Sequence, residues 1–271
     1  MEYVQLNNGV MMPRVGFGTW DIRGQEGKKI LDQAIEIGYR LFDTAQMYDN
    51  EEIVGQAIHD SNIPRNEFFI TTKLSHRCKS KEETIQSFEE SLNRLGLEYV
   101  DLLLIHEPYN ESIIMYQALE DIYKQGKAKA IGISNFSYTQ VQELLNKTTI
   151  RPALIQIESH VYDPQLDYLY KLQQLNVQMQ AWAPFTEGRK DIFHEKVLME
   201  IASKHNKTSA QIALKYLLQN NIHVISKTSK VERMKENIDI LDFNLDLEDI
   251  NKIKTLDEKK SLFGWYGNYW M

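Results

Sequence analysis

Eight times along the chain, a short β-branched or apolar run gives way to a longer stretch of helical periodicity, and this alternation constrains the fold more than any other feature. The predicted strands cover residues 14–18, 39–43, 68–73, 100–106, 128–134, 153–159, 178–182 and 223–227. Between them the helix signals are local and specific. Ser80-x-x-Glu83 reads as a capping box opening a helix whose Ile85, Phe88, Leu92 and Leu95 share one face before Gly96. Gly38 and Gly126 close two other helices, Ser229-x-x-Glu232 opens the one after the last strand, and two helical stretches, 195–205 and 209–220, separate strands seven and eight. Ahead of the series, YVQL-NNG-VMMP reads as a β-hairpin.

Strict alternation favours a closed parallel (β/α)8 TIM barrel with an N-terminal β-hairpin and extra helices, although a doubly wound open sheet shares the same periodicity. The fingerprint that usually accompanies nucleotide binding in a doubly wound sheet, Gly-x-Gly-x-x-Gly after the first strand, is missing, since that strand runs into VGFGTWDIRG. The 271 residues are near the roughly 250 typical of one such barrel, so a single domain over residues 1–271 is expected.

Charge and cysteine content narrow the partners. With a formal net charge of -7 and no block of lysine and arginine, the chain lacks the clustered cationic face that nucleic acid or an anionic membrane requires. The single cysteine, Cys78, excludes an internal disulfide and, even beside His76, supplies too few ligands for zinc, so no metal is expected. The first residues, MEYVQLNNGVMMPR, lack both a basic and an apolar targeting segment, and no run of about 18 apolar residues follows. A cytoplasmic protein in a reducing compartment is the expectation.

In a β/α barrel the chemistry lies at the C-terminal ends of the strands. Those ends carry Asp43, Lys73, His106, Ser134 with Asn135, Trp182 and Lys227, while Gln156 and Glu158 lie near the end of the sixth strand. Any one of these, alone, reads as a satisfied structural polar residue. Their coincidence on so many strands reads as an active site. A glycosidase would need two carboxylates facing each other, for which only Asp43 and Glu158 are candidates, and a metal hydrolase would need converging His and Asp ligands that the motifs do not supply.

The strings YRLFDTAQMYDNEEIVGQAI, FFITTKL and VDLLLIHEP, followed by GKAKAIGISNF, LIQIESH, AWAPF and VISKTSKVERMKENIDI, resemble the aldo-keto reductase family in order and over the whole chain. The likeness is to prokaryotic-type aldehyde, diketo acid and glyoxal reductases. It implies NADPH-dependent reduction of aldehyde or ketone carbonyls to alcohols, with Asp43, Tyr48, Lys73 and His106 as the catalytic residues and none missing. It also implies that Ser134, Asn135 and Gln156 hold a nicotinamide carboxamide, that Trp182 stacks on its ring, and that Gly18, Thr19 and Asp43 lie at the cofactor. Trp20, Tyr48 and His106 would face the substrate. Lys227, Thr228 and Arg233, with Asn237 one helical turn beyond, match the site of a 2′-phosphate, where a helix N-terminus, a lysine and an arginine fork would favour NADPH over NADH. The partner is then a small carbonyl compound, with aldehydes, glyoxals and keto sugars all compatible, and the resemblance leans to a monomer. An NADPH-binding sensor or scaffold subunit with little turnover is the alternative, against which the complete set of four residues weighs.

Reduction places negative charge on the carbonyl oxygen, so the site needs a proton donor and a positive field. Tyr48 is the expected acid. A cation about 4 Å away at an effective dielectric of about 20 supplies on the order of 4 kcal/mol, enough to offset the roughly 3 kcal/mol needed to move a phenol about 2 units toward neutrality. Lys73 is expected to do this, held charged by Asp43, with His106 orienting the carbonyl. The sequence departs from the family pattern at Ser226, commonly proline, and at Ser75 and Glu107, where bulky aromatics are common, which implies a wider or more polar pocket. The aromatic tail SLFGWYGNYWM reads equally as a cover over the pocket or as a segment packed outside the barrel.

Overall fold

The computed structural model describes residues 1–264. The hairpin is formed by β1 (Tyr3–Gln5) and β2 (Met11–Pro13), paired antiparallel with Tyr3 opposite Pro13. Eight parallel strands follow: β3 (Val15–Gly18), β4 (Leu41–Asp43), β5 (Phe69–Leu74), β6 (Val100–Ile105), β7 (Ala128–Ser134), β8 (Leu154–Glu158), β9 (Gln178–Trp182) and β10 (Ile222–Ser226). They pair in sequence order, and β10 returns to β3 through Val224 opposite Val15, so the sheet closes into a barrel. The helices α1 (Gly24–Ile37), α2 (Glu51–Asp60), α3 (Lys81–Leu95), α4 (Ser112–Lys124), α5 (Tyr138–Leu145) and α6 (Leu166–Gln174) each follow a strand. After β9 come α7 (Lys196–His205) and α8 (Ser209–Gln219), and after β10 come α9 (Val231–Ile238) and α10 (Leu247–Lys254). The fold is the (β/α)8 barrel that the alternation predicts.

Two apolar layers account for the burial. Leu102, Leu103, Leu104 and Ile105 in β6 are all buried, because one set of side chains faces the barrel lumen and the other faces the helices. Leu41, Phe69, Leu102, Leu104, Leu154 and Ile225 pack with Leu6 and Met12 of the hairpin region to fill the lumen. The hairpin closes the N-terminal mouth. Asn7 Nδ2 donates to Pro152 O at 2.9 Å and Asn176 O at 3.1 Å, just ahead of β8 and β9, and Asn8 Nδ2 donates to Lys129 O at 2.8 Å in β7. The opposite mouth is the open one.

Local signals differ from the sequence expectation in small, explicable ways. His106 and Lys227 stand one residue beyond β6 and β10 rather than inside them. Ser80 accepts the Glu83 N–H at 3.2 Å, but the Glu83 carboxylate reaches past Ser80 to the Lys79 N–H at 2.7 Å, so the box is only half made. Ser229 does not cap α9: the Thr228 hydroxyl takes the Lys230 N–H at 3.2 Å, turning the chain early and leaving Lys230 at the cap position. Complete boxes occur instead at Ser137 with Gln140, Thr208 with Gln211 and Asp246 with Asp249. Among the described residues no helix is long and apolar enough to cross a membrane. Of the aromatic tail, residues 265–271 lie outside the described residues, and its two readings can be followed only through residues 261–264.

Helix α2 packs against the end of α3 so closely that a Cβ on Gly55 would lie 1.9 Å from Leu95 O. Backbone on one side and a core helix on the other leave no room to adjust. Gly55→Ala is expected to cost about 1–3 kcal/mol or more and to lower the melting temperature by several degrees, read by circular dichroism; an unchanged melting temperature would show that the α2–α3 contact is looser than described.

Candidate active site

Asp43 ends β4, Lys73 is the penultimate residue of β5 and His106 follows β6, so three adjacent strands deliver polar residues to the open mouth. A cleft of about 530 Å³ lies there, lined among others by Trp20, Tyr48, His106, Ser134, Asn135 and Trp182. Tyr48 comes from the loop after β4, on a single 3-10 turn, Gln46–Tyr48. The turn is held firmly. Gln46 Nε2 donates to Ser87 Oγ and Ser91 Oγ on α3 at 2.9 and 3.0 Å, and Asn50 Nδ2 donates to Thr19 O and Ile22 O at 2.7 and 3.0 Å.

Lys73 is wholly buried, and each of its three ammonium protons has an acceptor: Asp43 Oδ1, Thr44 O at 3.1 Å and Tyr48 Oη at 3.2 Å. The other Asp43 oxygen accepts from Gln156 Nε2 at 2.8 Å. Burial pulls the lysine pKa down, but Asp43 and Tyr48 beside it outweigh burial and leave it above the ordinary value. Lys73 is therefore a fixed positive charge.

Burial pushes the Tyr48 phenol up, Lys73 pulls it down and Asp43 pushes it up again, with a net upward direction. The expectation that Lys73 brings Tyr48 toward neutrality is thus corrected. The lysine charge is already shared with Asp43, and the remaining attraction does not overcome the cost of desolvating a phenolate at this position. Tyr48 holds its proton and can release it only where negative charge develops beside it. His106 lies edge-on to Tyr48 with ring centroids 5.7 Å apart, and burial followed by the Lys73 charge holds its pKa well below the ordinary value, so the ring is neutral. Its Nδ1 lies 2.8 Å from Ser75 Oγ, which leaves Nε2 as the ring nitrogen for the cleft.

The remaining expected residues meet in the same cleft or the next. Ser134 Oγ is buried and has no hydrogen-bond partner among the described residues, so it is prepared for a polar group entering the cleft. Both amide protons of Gln156 are taken, by Asp43 and by Gln180 Oε1 at 2.9 Å, leaving its carbonyl oxygen as the acceptor. Asn135, at the left-handed φ of 66°, donates to His106 O at 3.2 Å and accepts the Trp182 indole N–H at 2.9 Å, which fixes the orientation of that ring. Gly18 and Thr19 line the wall, Thr19 Oγ1 donating to Asp43 O at 2.9 Å. Trp20 packs edge-on against Tyr48 at 5.0 Å. A second cleft of about 520 Å³ holds Lys227, Thr228, Arg233 and Asn237 and shares Phe185, Glu187 and Lys227 with the first, so the two form one groove. All the expected residues but Lys73 line it, and Lys73 is buried behind Asp43 and Tyr48.

Sequence reading missed several parts. Phe185, Glu187, Phe193 and His194, from the loop after β9, wall the second cleft; the rule that loops after barrel strands build the site was the available signal. Gln180 was legible as an inward position, two residues before Trp182 on the same face of β9. Glu107 lines the first cleft as its departure from the pattern implies, whereas Ser75 does not line it and turns its hydroxyl to His106. Ser226 is the last residue of β10, directly ahead of Lys227, with its hydroxyl buried. Phe263, in the described part of the tail, packs edge-on against Trp182 at 4.8 Å. Among the described residues no group of three or more His, Cys, Asp or Glu side chains is arranged to hold a metal ion.

Comparison with known proteins identifies relatives of the whole chain. The profile of the aldo/keto reductase family matches residues 14–258. The chain is 41% identical to a glyoxal reductase of Bacillus subtilis (strain 168) over 259 residues, covering 95% of this chain and 93% of the relative. It superposes with a TM-score of 0.94 on the crystal structure of an aldo-keto reductase enzyme from a Medee basin deep-sea metagenome library, at 40% identity and 98% coverage of both chains. A Bombyx mori aldo-keto reductase in complex with NADP matches with a TM-score of 0.90 at 31% identity, covering 99% of this chain and 98% of that one.

Removing one member of the buried ion pair leaves the other unpaired. Asp43→Asn is expected to cost about 3–5 kcal/mol of stability, and adding Lys73→Met should recover part of it; urea denaturation of both variants checks this. A loss in the double variant equal to the summed losses of Asp43→Asn and Lys73→Met measured singly would show that Asp43 and Lys73 are not energetically coupled.

Proposed function

The chain belongs to the aldo/keto reductase family, and on that premise we propose that it reduces aldehyde or ketone carbonyls to alcohols with NADPH, Tyr48 acting as the general acid. The observation that carries the proposal is the Lys73 ammonium hydrogen-bonded at once to Asp43 and to Tyr48 Oη at 3.2 Å, beside neutral His106 at the cleft. A continuous core running from Val15 to Ile253 supports reading the chain as one domain.

The cofactor reading is supported by the unpartnered Ser134 hydroxyl, the Gln156 oxygen and the indole ring of Trp182 in the first cleft, and by Lys227, Thr228, Arg233 and Asn237 in the second. NADPH, when bound, would supply a hydride to the carbonyl carbon. As charge builds on the carbonyl oxygen, Tyr48 gives its proton to that oxygen, so the product is an alcohol. The phenolate left behind is held by the Lys73 ammonium at 3.2 Å and then takes a proton from solvent. Asp43 keeps the ammonium charged throughout, and His106, being neutral, orients the carbonyl by a hydrogen bond without competing for the proton. The NADPH preference rests on Lys227 and Arg233 lying in one cleft at the start of α9, where a 2′-phosphate gains from both charges. The silkworm neighbour in complex with NADP supports that preference, and the relative named glyoxal reductase supports small dicarbonyls as substrates.

Purified protein is expected to oxidise NADPH with methylglyoxal, and Tyr48→Phe to lower kcat by about 10²–10⁴ while NADPH still binds; unchanged turnover would remove Tyr48 from the acid role. Arg233→Ala should weaken NADPH roughly tenfold or more with little effect on NADH, whereas equal loss for both would place the phosphate elsewhere. Because burial drives Tyr48 upward and His106 downward, kcat/KM for reduction should show no break near pH 6.5 and should not fall until above the ordinary tyrosine range. A fall centred near neutrality would contradict the direction assigned to Tyr48.

A further inference from the structure

Ser75, immediately after β5, is gripped far more closely than a pocket-widening serine requires. Its N–H donates to Gln46 Oε1 at 3.0 Å, and its carbonyl accepts from Tyr109 Oη at 2.9 Å. Those two bonds fix the backbone on both sides, and Gln46 is itself anchored to α3. The Ser75 hydroxyl oxygen in turn accepts the Met47 N–H at 3.3 Å, within the turn that carries Tyr48.

With one lone pair so engaged, the hydroxyl has a single proton to give and two acceptors within reach: His106 Nδ1 at 2.8 Å and Lys73 O at 3.4 Å. The shorter contact is a full hydrogen bond and the longer one is marginal. A neutral imidazole carries its proton on one nitrogen, so the partner of Nδ1 decides what Nε2 presents. If Nδ1 carried the proton, Nε2 would turn a lone pair toward a carbonyl oxygen that is gaining negative charge. We propose that Ser75 is a positioning residue: its hydroxyl donates to His106 Nδ1 and thereby holds the ring in the tautomer whose Nε2–H donates to the substrate carbonyl. This rests on the reductase reading above for its substrate. The direction of the His106 pKa agrees with it, since burial and the Lys73 charge keep the ring neutral and the tautomer, rather than a second proton, becomes the variable.

The test combines a tautomer readout with kinetics. Long-range ¹H–¹⁵N correlation NMR on the full-length chain, with the ring assigned through His106→Gln, should show the proton on Nε2. Ser75→Ala should give a mixture of tautomers and a kcat for methylglyoxal with NADPH lowered roughly tenfold at an unchanged NADPH dissociation constant. Ser75→Thr, which keeps the hydroxyl, should restore most of both signals. A proton on Nδ1 in the unaltered chain, or a tautomer indifferent to Ser75→Ala, would overturn the proposal, as would a shifted tautomer with undiminished kcat. A chain that reduces no carbonyl yet shows a Ser75-dependent Nε2–H supports the tautomer assignment and counts against the reductase reading instead.

Discussion

A lysine with no exposed surface must face a counter-charge, and the barrel mouth is arranged around the one that Asp43 provides. Such a pair contributes little to stability on balance, because desolvating both ions is costly; its value lies in geometry. Asp43 fixes Lys73 from the neighbouring strand and orients Gln156 from the far side of the lumen at 2.8 Å, and Lys73 then fixes Tyr48 at 3.2 Å. A single carboxylate thereby sets the positions of a phenol and of an amide in the groove. The barrel makes this arrangement available because the registers of adjacent parallel strands bring Asp43 level with Thr71, two residues before Lys73, at the same end of the sheet.

Much of this was legible in the sequence for a physical reason. Period-two and period-3.6 patterns report which side of each element is buried, and strand ends in a β/α barrel all point toward one mouth, so Asp43, Lys73, His106, Ser134 and Trp182 could be grouped without knowing a single contact. What was not legible depends on loops and on sums of opposing effects. The grip of Gln46 and Tyr109 on Ser75 joins residues 29 and 34 positions apart through segments with no periodicity. The cap of α9 moved because one hydroxyl, Thr228, reached a backbone N–H before Ser229 could. The direction of the Tyr48 pKa turned on burial, which a pairwise estimate from Lys73 alone leaves out. Closure of the barrel floor came from Asn7 and Asn8, whose turn sequence announced a hairpin but not the strands it would seal.

Charge is distributed along the groove against the sign of the whole molecule. The chain carries a net charge of -7, yet Lys227 and Arg233 stand together at the outer end, beside the start of α9. A net negative charge acts on a polyanion as a whole, whereas a small anion close to Lys227 and Arg233 senses the local field rather than the average. At the inner end Asp21, Glu107 and Glu187 accompany the aromatic wall of Trp20 and Trp182, so the groove changes character along its length.

The protonation of Lys73 has a consequence for chemical self-protection. Carbonyl compounds condense with neutral amines to give imines, and ammonium ions do not. Because Asp43 and Tyr48 hold Lys73 above the ordinary lysine value, it stays an ammonium at neutral pH. Lys73, though it lies behind the cleft, is thus kept from condensing with a carbonyl compound to form a Schiff base. Exposed lysines such as Lys29 and Lys259 are, by contrast, where adduct formation would be found first.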